Sequence, residues 1–518
     1  MPLHEAGLHL AAHARRTPDK AALIMVPSGE VRTFAQLDDT SLRLACALRE
    51  RGLRTGDHLA VLVANEPAFC EVVWAAMRTG LYITPINWHL TAAEAGCIVG
   101  DCDAAALVVS ARLAEVVAAL DPVELVAAST RLSVGCGIDG RPVIEGFESL
   151  ETVLATTDPG EVPDEHDGGW MFYSSGTTGR PKGILPPLPP ELLGAPSFLT
   201  AMLSGMFGFD AESVYLSPAP LYHASPAGWT NGTQRLGGTA VVMDHFDPLG
   251  LLDAIDRHRV THVQLVPTHM IRLLELPEAE RRRFDLSSLQ LVIHAAAPCP
   301  VDIKRQFIDW FGPIVHEYYS GSEGAGFCHI GPEEWLAHPG SVGRSMTGPI
   351  HILDAERAEL PVGEEGEVWF ETNRPFEYHK DPDTTRSVWD GRGWSWMGDV
   401  GRVDQDGYLY LTDRASHMII SGGVNIYPRE AEDVLILHPA VADVAVLGVP
   451  DPVMGERVCA FVQLAPGSGF AADDAGAAEL IALCRDRLSH FKCPREVRFV
   501  DTLPRLPTGK LLKRLLVR

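Results

Sequence analysis

The run Tyr173-Ser174-Ser175-Gly176-Thr177-Thr178-Gly179-Arg180-Pro181-Lys182-Gly183 sets glycines, hydroxyls and two cations directly behind the apolar stretch Trp170-Met171-Phe172. Each residue type suits an anion. Glycines let backbone N–H groups approach closely and adopt positive φ, hydroxyls add donors, and Arg180 and Lys182 bring charge. A polyphosphate is the ligand this chemistry fits. The run is not a GxxxxGK[ST] loop, because Pro181 stands where that loop has the Gly before its Lys. A flexible linker is disfavoured too, since linkers rarely end in Pro-Lys-Gly behind an apolar strand.

Four later segments carry further chemistry. Glu317-Tyr318-Tyr319-Ser320-Gly321-Ser322-Glu323-Gly324 offers an aromatic face and a carboxylate, and it follows Ala295-Ala296-Ala297-Pro298. Gly393-Trp394-Ser395-Trp396-Met397-Gly398-Asp399 and Asp413-Arg414 supply an acid and a cation. Pro504-Arg505-Leu506-Pro507-Thr508-Gly509-Lys510 ends in a lysine close to the C-terminus. Any one of these alone reads as an ordinary loop or hairpin.

Taken together and in this order, they resemble the adenylate-forming family of acyl-CoA synthetases, luciferase-like enzymes and adenylation domains. That family's loop reads [Tyr/Phe]-[Thr/Ser]-Ser-Gly-[Thr/Ser]-[Thr/Ser]-Gly-x-Pro-Lys-Gly, and every defining position is present here. The resemblance implies that ATP and a carboxylate give an acyl-adenylate, which a thiol, coenzyme A, then captures. Such chemistry is mostly charge neutralisation and alignment. It implies that Ser174, Ser175, Gly176, Thr177, Thr178, Gly179 and Lys182 hold the β- and γ-phosphates. Tyr319 would stack on adenine beside the wall Ala296-Ala297-Pro298, and Ser322 would meet the α-phosphate. Glu323 would bind Mg²⁺, a hard-cation role that one carboxylate and substrate oxygens can fill. Asp399 would accept both ribose hydroxyls with Arg414 beside it, and Lys510 would bridge the attacking carboxylate and the α-phosphate. Gly422 and Gly423, in Gly422-Gly423-x-Asn425-Ile426-Tyr427-Pro428-x-Glu430, would leave a channel for the pantetheine arm, where a plain strand-to-helix turn is also expected. His223 falls where the family places a gate beside the acyl carboxylate, although a packed neutral histidine explains it equally well.

This chain departs from the family pattern at three places. Ser320 replaces a Gly beside the reacting group, next to Gly321. After the gate, Ser225, Thr230, Asn231, Thr233 and Gln234 are polar where fatty-acid relatives are more apolar, and buried polar groups need matching partners. The expected substrate is therefore a short, aromatic or polar acid, with His223, Asn231, Ser320 and Gly321 in its pocket. Ser416 and His417 also depart from the family's hinge, so whether Ser416 acts as the hinge stays open.

Positioning these residues requires alternating units. Strands read over Ala21 to Val26, His58 to Ala64, Tyr82 to Pro85, Val260 to Val266 and Leu289 to His294. Helices read over 3–16, Phe34 to Glu50 and Pro67 to Thr79. Such alternation argues for βαβ units and parallel sheets. From about Gly366 the pattern turns to short alternating strands with Asp-Gly signals, which suits a small barrel-like subdomain. The last hundred residues alternate helix and strand as an α+β set. The expected architecture is α/β: a large N-terminal domain over 1–413, with two parallel-type sheets and the β-rich subdomain, and a movable α+β lid over 414–518 that brings Lys510 to the nucleotide.

Bulk properties narrow the partners. With 518 residues, 46% hydrophobic and 21% charged, the chain is long enough for several cores and has a globular composition. Its net charge of −25 disfavours nucleic acid and anionic membranes. No apolar stretch is long enough to span a bilayer. Ten cysteines without a CxxC, and no signal-like N-terminus, lead to the expectation of reduced thiols in the cytoplasm. A carrier-protein ligase, a nitrite-activating diazotase, a non-catalytic nucleotide-binding relative and a homodimer all stay open. Retention of Lys510, Glu323 and Asp399 together argues against the non-catalytic reading.

Overall fold

The computed structural model describes residues 7–518 except 163, 175–180, 191–192, 415–417, 422–423, 506–510 and 517–518. The chain forms two compact units. The first comprises Met1–Ala295, Phe307–His316 and Arg374–Arg386, and the second Ala296–Gln306, Glu317–Asn373 and Ser387–Arg518.

Two parallel sheets build the first unit. One runs in the order Glu148–Ser149, Thr130–Val134, Ala104–Ser110, His58–Leu62, Tyr82–Pro85, Gly169–Trp170, with every pair parallel. In the other, Leu291–His294, His262–Leu265, Val214–Ser217, Thr239–Met243 and Ala21–Val26 are parallel neighbours, edged by the antiparallel Val31–Thr33. Strands covered on both faces need unbroken apolar runs, and Thr239–Met243 is buried at all five positions. The helix Phe34–Glu50 begins at a capping box: Thr33 Oγ1 accepts from the Gln36 N–H, and the Gln36 side chain accepts from the Thr33 N–H. Its face of Leu37, Leu44 and Leu48 is fully buried. Among the described residues the first helix is Leu10–Arg16, capped by His9, whose Nδ1 accepts from the Ala11 N–H at 3.1 Å; residues 3–6 of the expected helix 3–16 lie outside the described residues.

In the second unit, Ile350–Leu353, Gly366–Glu371, Trp394–Val403 and Leu409–Arg414 form a four-stranded antiparallel sheet in the place of the expected barrel-like subdomain. The strand containing Val400 to Val403 reaches back to Trp394, since Ser395, Met397 and Asp399 alternate inward with Trp394, Trp396 and Gly398 less buried. The C-terminal part is α+β. Its sheet runs Val424–Ile426, Ile419–Ser421, Gly455–Leu464, Val441–Asp451, with Glu496–Val500 parallel to Gly455–Leu464 and the helices Pro428–Leu435 and Asp474–Arg487 alongside. Arg429 Nη1 donates to the Leu411 carbonyl at 3.0 Å, joining this part to the four-stranded sheet. No helix among the described residues is long and apolar enough to cross a membrane. All ten cysteines are free thiols.

Candidate functional site

In the first unit, Phe172–Ser174 and Lys182–Leu185 pair antiparallel with Ser174 opposite Lys182. The glycine-rich run is thus the connection of a hairpin whose two stems are fixed. Of the expected phosphate residues, Ser174 and Lys182 lie in these stems, whereas Ser175, Gly176, Thr177, Thr178 and Gly179 lie outside the described residues. Tyr173 Oη donates to Asp101 Oδ2 at 2.6 Å, and burial together with that carboxylate pushes the phenol far above its usual range. Gly183 has a packing reason of its own. A Cβ there would sit 2.4 Å from Met171 Cε and 2.9 Å from Tyr173 Cζ. Lys182 Nζ donates to Thr384 Oγ1 at 3.2 Å and lies 5.6 Å from the Tyr378 ring centre.

In the second unit, residues 317–320 pair antiparallel with Phe327–Ile330 in a hairpin whose turn carries Gly321, Ser322 and Glu323. Tyr319 Oη donates to Asp399 Oδ2 at 2.5 Å, and Asp399 is only 6% exposed. Antiparallel pairing sets Arg414 directly opposite Asp399; the Arg414 side chain lies outside the described residues. A tyrosine, a buried carboxylate and the arginine backbone therefore converge from three strands. Glu323 joins them: a Cβ on Gly321 would lie 2.6 Å from Glu323 Oε2 and 2.7 Å from Met397 Sδ, two residues before Asp399. The Glu323 carboxylate is partly exposed and Ser322 is exposed, so hard oxygen donors face outward here, as a divalent cation requires. Gly326 sits against Phe370, with ring atoms 2.4 Å from where its Cβ would be. Ala296, Ala297 and Pro298 are exposed, and Ala296 holds φ +73°, a left-handed conformation that non-glycine residues rarely keep outside functional turns.

The Ser320 hydroxyl is bonded inside its own turn. It donates to the Gly326 carbonyl at 2.7 Å, stitching that turn together. Most of the polar residues after His223 likewise bond within the protein. Asn231 Oδ1 accepts from Arg235 Nε at 2.9 Å, and Arg235 forms a buried two-pronged pair with Asp167 at 2.9 and 2.5 Å. Gln234 Oε1 accepts from Trp74 Nε1 at 2.7 Å, Thr233 Oγ1 donates to the Trp229 carbonyl, and Ser225 Oγ accepts from Gln264 Nε2 at 2.6 Å. Thr233, Gln234 and Ser225 are thus bonded within the protein, whereas the buried Asn231 Nδ2 and Thr230 Oγ1 have no hydrogen-bond partner among the described residues. His223 precedes the helix Ala224–Arg235, half-buried, with its ring 4.3 Å from Tyr222, which meets Trp88 edge-on at 4.6 Å. The buried Tyr222 hydroxyl has no hydrogen-bond partner among the described residues. Lys510, Gly422 and Gly423 lie outside the described residues.

The family model for the AMP-binding enzyme matches residues 10–376, and that for the AMP-binding enzyme C-terminal domain matches 430–510. The chain belongs to the AMP-binding enzyme family. It is an adenylate-forming enzyme with the mixed α/β fold of that family, and its similarity runs over nearly its whole length. It is 33% identical over 506 residues to a feruloyl-CoA synthase of Amycolatopsis sp, covering 96% of each chain. It is 30% identical over 492 residues to the long-chain-fatty-acid–CoA ligase FadD13 of Mycobacterium tuberculosis, covering 95% of this chain and 93% of that one. Among solved structures, the amide bond synthetase McbA from Marinactinospora thermotolerans superposes with a TM-score of 0.79 at 30% identity, over 97% of this chain and 98% of that chain. The AMP-binding family enzymes that couple acids to CoA take ATP and CoA as substrates.

Two features of the site left no local trace in the sequence. Thr384 stands 202 residues from the lysine it contacts, and the Tyr319–Asp399 bond spans 80 residues. Met397 and Phe370 beside the Gly321 turn read as ordinary strand residues.

Proposed function

We propose that this chain joins a carboxylic acid to AMP with release of pyrophosphate and then transfers the acyl group to coenzyme A. The observation that carries the reading is the buried Asp399 carboxylate, held by Tyr319 and paired in register with Arg414. A carboxylate, with two oxygens to accept hydrogen bonds, suits two ribose hydroxyls. Tyr319 stacks on adenine beside Ala296, Ala297 and Pro298, and Ser322 meets the α-phosphate. In the other unit, Ser174 and Lys182 anchor the loop of Ser175, Gly176, Thr177, Thr178 and Gly179 that takes the β- and γ-phosphates. Glu323 is the residue that would hold Mg²⁺, which, when bound, supplies positive charge between phosphate oxygens. Lys510, on a lid beginning near residue 414, neutralises the attacking carboxylate and the α-phosphate in the first half-reaction, and Gly422 and Gly423 line the thiol's approach in the second.

The substrate we favour is an aromatic acid. The ring cluster of Trp88, Tyr222 and His223 and the similarity to a feruloyl-CoA synthase support it. Transfer to an acceptor other than CoA is the second reading, supported by the likeness to an amide bond synthetase. The experiment is pyrophosphate release over a panel of aromatic, short and long-chain acids and nitrite, followed by CoA consumption with the responding acid. ATP binding without pyrophosphate release for any acid would sink the proposal.

A further inference from the structure

The segment Arg374–Arg386 belongs to the first unit although its chain neighbours on both sides belong to the second. It is bound to the phosphate hairpin along its length. Ile184 pairs with Tyr378 and Leu185 with Glu377, and the His379 N–H donates to the Gly183 carbonyl at 2.8 Å. Lys380 Nζ donates to the Asp101 carbonyl at 2.7 Å and to Asp103 Oδ1 at 2.8 Å, and Asp101 is also the acceptor for Tyr173. The strap and the hairpin therefore share an anchor.

At the end of this strap Asp381 takes two hydrogen bonds from one residue, from the Thr384 N–H at 3.0 Å and from Thr384 Oγ1 at 2.6 Å. A hydroxyl has one proton to give. With that proton directed at Asp381, Thr384 Oγ1 presents only lone pairs on its other side, and there Lys182 Nζ donates to it at 3.2 Å. The chain of donors runs one way, from ammonium to hydroxyl to carboxylate. In this state the hydroxyl is an acceptor for a cation and not a donor to a phosphate. The Tyr378 ring flanks the same ammonium.

We propose that Thr384, oriented by Asp381, is a positioning residue for Lys182: it holds the ammonium in one place before nucleotide arrives, so that the terminal phosphates meet an ordered cation. The inference rests on the reading of Lys182 as a phosphate ligand. Its physical basis is the rotamer freedom of a lysine, most of which is lost at folding when the ammonium is tethered and otherwise must be lost at binding. Lys182 keeps two further N–H donors for the ligand.

The test is equilibrium binding of Mg-ATP and of AMP to the full chain, compared for the wild type, Thr384→Val and Thr384→Ser. AMP lacks the phosphates that Lys182 serves and so reports on everything else. The expected result is a loss of roughly tenfold in ATP affinity for the valine variant, AMP affinity unchanged, and recovery of ATP binding in the serine variant. Equal weakening of ATP and AMP would make Thr384 a purely structural residue and overturn the inference, as would unchanged ATP binding in the valine variant or failure of serine to restore it. If the wild type binds neither nucleotide, the proposed function falls first and takes this inference with it.

Discussion

Asp399→Asn isolates the ribose contact. The carboxylate offers two oxygens, and Tyr319 Oη already occupies one position on Oδ2. Asparagine keeps an oxygen for the tyrosine but replaces the other oxygen with an NH₂ group. That group cannot accept from a ribose hydroxyl, which must turn and accept from the NH₂ in place of donating, so one charge-assisted bond is lost. A hydrogen bond to an ionised group contributes about 1.5–3 kcal/mol. The expected loss of affinity is therefore about 10- to 150-fold. Because ATP and AMP share the ribose, both should weaken by the same factor, which separates this variant from any change at Lys182. Calorimetric titration of both nucleotides measures it, and Asn is close enough in shape to leave the fold intact. A change below about threefold, or one confined to ATP, would refute the assignment of Asp399 to the ribose.

Lys510→Ala is expected to abolish acyl-adenylate formation while sparing thioester formation from a synthetic acyl-adenylate; single-turnover assays of each half-reaction check it, and equal loss of both removes the assigned role. Gly326→Ala drives a methyl group to within 2.4 Å of the fully buried Phe370 ring, which cannot retreat; overpacking of this kind costs about 1–3 kcal/mol, readable as a lower melting temperature together with weakened nucleotide binding. His262 gives a pH signature. Burial lowers its imidazole from 6.5 to about 4, with Nε2 donating to the Phe207 carbonyl at 3.0 Å. Between these values the unfolded chain binds the proton and the folded one does not, so stability is fully present above pH 6.5 and falls as pH drops toward 4. The full shift corresponds to on the order of 3 kcal/mol, and His262→Gln should flatten the acid side of a melting-temperature profile between pH 7.5 and 5.

Much of the fold was legible in the sequence because its causes are local. The strand Ala21–Val26 and the helix Phe34–Glu50 have the bounds that hydrophobic period and the Thr33–Gln36 cap dictate. The chemistry proposed for the run Ser174 to Lys182 is read on the same local ground: glycines, hydroxyls and cations along one stretch carry their chemistry with them. Parallel sheets followed from the rhythm of strand and helix. What the sequence alone could not decide was which polar group meets which. Gln234 and Ser225 look like parts of a polar pocket until the fold supplies Trp74 and Gln264 as their partners. Ser320 looks like an intrusion until the turn supplies the Gly326 carbonyl. Thr384 looks like any helix-start threonine until the strap is laid along the hairpin. A side chain's type fixes what it can bond, but the buried partner that satisfies it arrives from a distant part of the chain, and only tertiary structure chooses that partner.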